Sequence, residues 1–379
     1  MKPVPYAMAE LGFGLMRLPL TDPSDQTSID LPQLEKMVDM YLDAGLDYFD
    51  TAYLYHGTCS ESAIKKALVD RYPREKYRIA TKLPIMKVST PEEAESVFEE
   101  QLSKTGAGYF DSYLIHNVSE NYWDNLIGCD AFAFIRRKKA EGKVKRIGFS
   151  FHSGPEMLEK VLREHPEMEF VQLQVNYLDM DDPAIESRKN LEVARSFGIP
   201  VIVMEPVKGG MLADVPAEAR ELFEEKSPES SAASWALRYV LGLDGVETVL
   251  SGMSSAEQME DNLRTYSGFR KLDGDELETI EKAAEIINSK VAIKCTGCRY
   301  CMKDCPQDIQ IADYFSLYNS ECLCPPRLGW SIYRLYYRSK SRGHGKASDC
   351  LECGNCELNC PQGLPVIDYL KDVAEKMEK

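Results

Sequence analysis

VKRIGFS at Val144–Ser150, PEMLEKVLRE at Pro155–Glu164 and FVQLQV at Phe170–Val175 read as strand, amphipathic helix and strand in succession. Short β-branched or apolar runs separated by a helix-period segment are the mark of two parallel strands joined by a crossover helix. The alternation continues in both directions. Strands are expected at Leu11–Leu15, Leu46–Asp50, Tyr77–Lys82, Ser112–His116, Pro200–Glu205 and Thr248–Gly252. Helices are expected at Leu31–Ala44, Glu61–Asp70, Pro91–Lys104, Phe132–Glu141, Pro183–Phe197 and Ser231–Leu241. Eight alternations favour a closed (β/α)8 barrel, the TIM-barrel architecture of the α/β class. An open doubly wound sheet is the rival, but no G-x-G-x-x-G follows the first strand. Two more helices, Ala256–Tyr266 and Asp275–Ser289, are expected to cover the barrel's end.

Near residue 291 the composition turns to Cys, Pro, Arg and Tyr, which divides the 379 residues into a barrel at 1–290 and a small helix-and-loop domain at 291–379. Ten of the twelve cysteines fall in the last 85 residues. Two runs there share one spacing, Cys295-x2-Cys298-x2-Cys301-x3-Cys305-Pro306 and Cys350-x2-Cys353-x2-Cys356-x3-Cys360-Pro361. This is the bacterial ferredoxin spacing for 4Fe–4S ligation, in which the fourth cysteine reaches across to the other cluster. Cys295, Cys298, Cys301 and Cys360 are thus assigned to one cluster, and Cys350, Cys353, Cys356 and Cys305 to the second. Structural zinc would more usually take paired C-x2-C knuckles separated by a longer loop. Cys322 and Cys324 lie outside both runs and read as spare thiols, and Cys59 and Cys129 as neutral thiols in the barrel.

Between the runs, at about 307–348, sits an insertion longer than a compact ferredoxin needs. Its stretch Arg327–Lys346 has six Lys/Arg and no acid, with Trp330, Tyr333 and Tyr337 at helical spacing. An aromatic stripe packing on the barrel with a solvated basic face is the preferred reading. The other is a docking patch for an acidic electron carrier, a ferredoxin or flavodoxin. The net charge of −16 argues against nucleic acid as a general partner. No apolar stretch is long enough to span a bilayer, and Met1-Lys2-Pro3-Val4-Pro5 lacks the apolar run of a secretory signal. Metal-ligand cysteine spacing suits a reducing cytoplasm.

Barrel enzymes carry their reactive groups at the C-terminal ends of the strands. Here those ends hold Asp50, Lys82, His116, Ser150 and Glu205, with Tyr55 in the loop after Asp50. The segments Asp50-Thr51-Ala52-Tyr53-Leu54-Tyr55, Ala80-Thr81-Lys82 and Tyr113-Leu114-Ile115-His116 resemble the catalytic tetrad segments of the aldo-keto reductases. So do Leu11–Pro19, Ile147-Gly148-Phe149-Ser150, and Ser251-Gly252 followed by Gln258–Leu263, which extends the resemblance over about residues 10 to 270. With the cysteine-rich tail, the chain is similar to aldo-keto reductase-like oxidoreductases that carry 4Fe–4S domains.

Carbonyl reduction needs a hydride at carbon and a proton at the developing alkoxide. A free tyrosine, with a pKa of about 10, is a weak acid near neutrality. An adjacent ammonium lowers that pKa, and a carboxylate holds the ammonium in place. Tyr55 is therefore expected as general acid, Lys82 as its tuner, Asp50 as the orienter and His116 as a guide for the carbonyl oxygen. The resemblance implies a nicotinamide whose carboxamide meets Ser150 and Gln172, whose ring lies against Met204, and whose diphosphate faces Pro206, Lys208, Gly209 and Gly210. Its adenosine end would meet Ser251, Gly252, Met253, Gln258 and Asn262. The stretch Ser251–Gln258 has Glu257 and no cation for a 2′-phosphate, so NADH is expected over NADPH.

Nicotinamide moves two electrons as hydride, and a 4Fe–4S cluster one at a time, a mismatch that a flavin normally bridges; the chain has no flavin signature. Three readings stay open. The chain could be a carbonyl/alcohol oxidoreductase with nicotinamide and clusters, a ferredoxin-coupled reductase without nicotinamide, or a non-enzymatic electron-transfer or redox-sensing subunit. Clusters that serve the barrel require the tail to fold back over the strand C-terminal ends. The loop Asn117–Asp130, with Tyr122 and Trp123, is expected to line the cleft with aromatic rings.

Overall fold

A computed structural model describes residues 8–324 and 331–379. The Met1–Pro5 segment, Arg327 and Trp330 lie outside the described residues. Eight strands, β1 (Glu10–Gly14), β2 (Tyr48–Asp50), β3 (Arg78–Leu83), β4 (Phe110–Val118), β5 (Val144–Phe151), β6 (Phe170–Gln174), β7 (Val201–Met204) and β8 (Val246–Gly252), close in chain order. Every pairing is parallel, with β1 bonded to both β2 and β8. A layer of Tyr48, Ala80, Leu114, Phe170, Ile202 and Leu250 forms one buried cluster of strand side chains. Gly148 makes room for it: a Cβ there would lie 2.6 Å from Phe170 O and 2.8 Å from the Phe170 ring. At the N-terminal end Arg78 bridges Glu10 and Asp47, and Arg146 binds Glu247 in a two-pronged pair.

The helical expectations need three corrections. The helix expected from Pro183 begins only at Ser187, because the Asp182 carboxylate accepts the Ala184 and Ile185 N–H groups (2.8 and 3.1 Å) and Glu186 turns left-handed at φ 53°. That side chain offers the backbone a turn in competition with the helix. The segment after Glu61 is an α-turn, Ser60–Ile64, that widens into a π-turn at Lys65–Val69. Ala256–Ser267 does not cover the end of the barrel; it packs between Leu31–Asp43 and Ala232–Leu241 in the outer ring. Gly274–Ser289 pairs with Ala217–Lys226, a helix not read from the sequence.

The tail has three longer helices, Ile311–Leu323, Ile332–Lys340 and Val366–Met377, around Tyr314, Phe315, Tyr337, Leu370 and Val373. Ala184 and Ile185, from the loop after β6, belong to the same apolar cluster. Contacts also reach the loops after β4, β5 and β7, so the tail lies over the C-terminal ends of the strands. Asn121 donates to Leu335 O (3.3 Å), Arg299 to Pro183 O (2.9 Å), and Ser316 to Asp182. Tyr333 rests over the Lys208 ammonium, while Tyr337 turns inward against Tyr314. Three of the five described cations of the basic stretch sit in internal pairs, Arg334 with Glu321, Lys340 with Asp313 and Arg342 with Asp124, while Arg338 and Lys346 are exposed. The paired cations hold the tail together and to the barrel, which weakens the case for a carrier docking on this helix.

Candidate active site and cluster cavities

β2 delivers Asp50 and β3 delivers Lys82 side by side, in the register that pairs Asp50 with Ala80. The Lys82 ammonium donates to Asp50 Oδ1 (2.6 Å), Thr51 O (2.8 Å) and Tyr55 Oη (3.3 Å). Tyr55 reaches this point from a short turn in which His56, Gly57 and Thr58 all take positive φ. His56 holds the turn: its Nε2 accepts the Leu18 N–H (3.0 Å) and Nδ1 meets Gln26 O (2.8 Å). Behind β3, Glu61 accepts Thr81 Oγ1 and Gln101 Nε2, each at 2.7 Å, and so fixes the strand next to Lys82. The His116 ring stands edge-on to Tyr55, with centroids 6.1 Å apart.

Asp50 and Lys82 are buried and Tyr55 and His116 half-buried, and desolvation sets the sign of most shifts. It pushes the Tyr55 phenol above its ordinary range, and the Lys82 ammonium pulls against that push without cancelling it. The lowered tyrosine pKa expected from Lys82 alone is thus outweighed by desolvation, and the phenol keeps its proton. Burial also works against the Lys82 charge, but Asp50 and Tyr55 carry its pKa above the usual range. Burial pushes the Asp50 carboxyl up, opposed by Lys82. Lys82 makes three donor contacts, which only an ammonium can do at once, so the ion pair is the state assigned.

Ser150 and Gln172 stand next to this group. Ser150 Oγ accepts the Asn117 N–H (2.8 Å), and Gln172 Nε2 donates to Asp50 Oδ2 (3.3 Å). Met204 closes β7 opposite Gln174. Lys208 is placed elsewhere than expected: it is buried, donates to Asp179 and lies under Tyr333. Pro206 precedes it, and Gly209 and Gly210 follow with positive φ; a Cβ on Gly209 would lie 2.8 Å from Cys324 Sγ of the tail. Toward the expected adenosine end, Ser251 Oγ accepts from Asn262 (2.7 Å) and Gln258 Oε1 accepts the Ser254 N–H (2.8 Å). Met253 is buried, and Gly252 lies under the Arg17 side chain.

Sequence reasoning missed Arg17, His152 and Tyr336. Arg17 is 3.7 Å from Glu205 and lies between Gly209 and Gly252, which puts a guanidinium where the motif expectation had placed Lys208. It is 192 residues from Gly209 and 235 from Gly252 in the chain, so no local spacing reports it. His152 had a signal, two residues beyond Ser150 at a strand end.

The eight cysteines fall into two groups of four. One cavity is lined by Cys295, Cys298, Cys301 and Cys360 with Phe315, Leu364 and Arg299. The other is lined by Cys305, Cys350, Cys353 and Cys356 with Ile309 and Leu370. Two cavities, each with four thiols among largely apolar neighbours, suit two clusters of one kind. N–H groups of Gly297, Ile309 and Glu352 point at Cys295, Cys305 and Cys350 sulfurs at 3.4 Å, the contacts that tune iron–sulfur potentials. Among the described residues no three His, Cys, Asp or Glu side chains gather as a single-ion site would require. Cys322 and Cys324 line neither cavity.

Residues 10–285 match the model of the aldo/keto reductase family, and residues 294–364 that of a 4Fe-4S dicluster domain. L-galactose dehydrogenase of Arabidopsis thaliana is 27% identical over 260 residues, 64% of this chain and 80% of that protein. Among solved structures, aldo-keto reductase AKR11C1 from Bacillus halodurans, in its holo form, superposes with a TM-score of 0.58 at 24% identity, over 72% of this chain and 91% of that one. An aldo-keto reductase from Klebsiella pneumoniae in complex with NADPH gives the same TM-score at 18% identity, over 72% of this chain and 89% of that one. The chain is an oxidoreductase that belongs to the aldo/keto reductase family, with a 4Fe-4S dicluster domain following its barrel.

Proposed function

We propose that the barrel interconverts a small carbonyl compound and its alcohol, with Tyr55 as general acid and base, and that the two clusters exchange single electrons with an outside carrier. The observation that carries this is the buried Asp50–Lys82–Tyr55 chain directly beneath a tail bearing eight cysteines in two groups. Tyr55 holds its proton until an alkoxide develops beside it; Lys82 then stabilises the phenolate left behind, and Asp50 keeps Lys82 in place. His116 guides the carbonyl oxygen. Cys295, Cys298, Cys301 and Cys360 would hold one cluster and Cys305, Cys350, Cys353 and Cys356 the other, each supplying one electron at a time. Exposed Cys298 and Cys353, near exposed Tyr300 and Leu351, mark the side from which a carrier would approach. We place the protein in the cytoplasm, where such clusters persist; among the described residues no helix is long and apolar enough to cross a membrane.

A nicotinamide would supply hydride at this mouth. The residues support its ring end, with Ser150 and Gln172 beside Asp50. At the diphosphate, Arg17 takes the part expected of Lys208. NADH is favoured over NADPH because Ser251–Gln258 carries Glu257, acted on by Lys36 of the neighbouring helix, and no cation of its own. The Klebsiella protein binds NADPH on the same fold, so the preference is a property proposed for this chain's loop.

A second reading, reduction by the clusters without nicotinamide, is favoured by one contact: Cys324 of the tail sits against Gly209, over the loop expected to face the diphosphate. Anaerobic titration of oxidised, cluster-loaded protein with NADH and then NADPH, followed by the visible absorbance of the clusters, separates the two. Bleaching by NADH would show that nicotinamide and clusters communicate, and would call for a search for bound flavin. Binding without bleaching would separate hydride chemistry from the clusters. No binding of either nucleotide would overturn the first reading and leave the cluster-coupled one.

A further inference from the structure

The chemistry proposed above uses one histidine at the mouth, yet a second is built into it. β5 ends at Phe151, and the next residue, His152, is 7% exposed with a buried Nδ1 that meets no partner. Its backbone N–H donates to Val118 O (3.2 Å), and the Asn117 N–H donates to Ser150 Oγ (2.8 Å), which laces the ends of β4 and β5 together. His116, on the β4 side, carries the same unpartnered, buried Nδ1. Burial, with the Lys82 charge adding to it, pushes His116 well down and His152 to about 3. Both imidazoles are therefore neutral in the working range, each with one N–H donor and one acceptor nitrogen.

The tail closes the other side of His152. The Tyr336 ring lies 5.6 Å from it, tilted by 65°. One carboxylate sets both: Glu120 accepts from Ser153, next to His152, and from Ser339 (2.9 Å), three residues after Tyr336. Arg342 donates to Glu120 O and to Asp124 and reinforces the clamp. A third unpartnered atom at the mouth is Glu205 Oε2; the other oxygen of that carboxylate faces Arg17 at 3.7 Å, and its charge bears on both Tyr55 and Tyr336. Buried polar atoms without a protein partner are costly, and several at one strand-end mouth point to a ligand that satisfies them.

We infer that His152 is a second substrate anchor, holding a hydroxyl on the carbon next to the reacting carbonyl. The substrates are then neutral α-hydroxy aldehydes or ketones, or the matching vicinal diols in the reverse direction. A hydroxyl both donates and accepts, which suits a neutral imidazole on one side and the Glu205 carboxylate on another. An anionic substituent would instead meet Glu205, with Asp179 and Asp182 bearing on the same Tyr336. A plain alkyl aldehyde would leave His152 Nδ1 and Glu205 Oε2 unpaired. This inference rests on the carbonyl/alcohol reading: the carbonyl takes up two electrons and two protons, one proton from Tyr55, and the neighbouring hydroxyl is unchanged.

The test uses full-length, cluster-loaded protein with lactaldehyde and propanal, which differ by one α-hydroxyl. NADH and reduced methyl viologen serve in turn as electron source. We expect kcat/KM for lactaldehyde to exceed that for propanal by about 10- to 100-fold, the worth of one such hydrogen bond with its unpaired alternative. In His152→Leu the ratio should fall toward one, and His152→Gln should restore part of it. A ratio near one in the parent protein, or a ratio that survives His152→Leu, overturns the inference. If neither aldehyde turns over with either reductant, the carbonyl reading fails, and the anchor is decided separately by imidazole ¹⁵N spectra of the five histidines. One signal, absent in His152→Gln, should shift with 1,2-propanediol and not with 1-propanol; no shift with the diol overturns the anchor.

Discussion

Replacing Lys82 with Met tests whether the Asp50–Lys82 pair is the structural as well as the chemical centre of the mouth. The two side chains are 4% and 1% exposed, and the ammonium makes three contacts at 2.6, 2.8 and 3.3 Å. A solvated pair of the same geometry would be worth about 0–1 kcal/mol. Breaking a buried pair strands a charge, and costs about 3–5 kcal/mol. Lys82→Met should therefore lower the unfolding free energy by about 3–5 kcal/mol. Asp50→Asn should lower it by a comparable amount. The double variant, with neither charge, should recover most of the loss, because replacing a buried ion pair by neutral groups is often close to neutral. Activity should behave differently. The two variants without Lys82 should lose about 10²- to 10⁴-fold in kcat/KM, since Tyr55 has lost the charge that opposes its burial, and Asp50→Asn should also lose activity, since the ammonium has lost its orienter. The assay is anaerobic urea unfolding of the four proteins, read as a double-mutant cycle beside the rates. Single losses below about 1 kcal/mol, or losses that simply add in the double variant, would refute the buried-pair reasoning.

Three further outcomes rest on other parts of the structure. His152 has a folded pKa of about 3 against about 6.5 unfolded, so the folded state resists protonation and stability is lost as pH falls below about 6.5. Between pH 7 and 5 this histidine should cost about 2 kcal/mol, seen as a steeper pH dependence of the parent than of His152→Gln; equal slopes would remove burial and Lys82 as its controlling surroundings. Cys305→Ala should leave the same residual cluster as Cys353→Ala, and Cys360→Ala the same as Cys298→Ala, by iron content and the electron paramagnetic resonance of the reduced protein; Cys305 grouping with Cys298 would disprove the crossed ligand sets. Gly148→Ala, which drives a Cβ to within 2.6 Å of Phe170 O, should destabilise by about 1–3 kcal/mol or prevent folding, and a stable variant would show that β5 and β6 can part at little cost.

The barrel was legible because its signals are local. Most strands are short apolar runs, and Asp50, Lys82, His116 and Ser150 fall at or within two residues of their strand ends, so their placement could be read from spacing alone. The cysteine runs were legible for the same reason: their spacing already sorts them into the two groups of four that line the two cavities. What failed was whatever depends on partners distant in sequence. Lys208 looked like a phosphate-facing cation, but Asp179 and Tyr333 claim it from opposite domains. The helix from Pro183 was lost to the Asp182 side chain, and the basic stretch near Arg334 to carboxylates at Glu321, Asp313 and Asp124. The sign of the Tyr55 shift depends on how completely the tail and loops exclude water, which spacing does not encode.

That exclusion gives the tail a second consequence beside its clusters. Ala184 and Ile185 complete the tail's core, Ser316 holds Asp182, and Tyr333 covers Lys208, so the barrel mouth and the tail share one set of buried contacts. Removing the tail would not leave a smaller barrel enzyme. It would hydrate Tyr55 and His152, free the Asp179–Lys208 pair and erase the wall that Tyr336 makes. A barrel with a separate, loosely tethered ferredoxin module could be cut at the linker and keep its chemistry. The helix Ile332–Lys340, which carries Tyr333 and Tyr336 over the mouth, packs on Ile311–Leu323, whose Phe315 lines the first cysteine cavity. Under the proposed function, substrate selection and electron delivery would therefore be coupled by packing, and a substrate that disturbs Tyr336 would strain the contacts on which Phe315 depends.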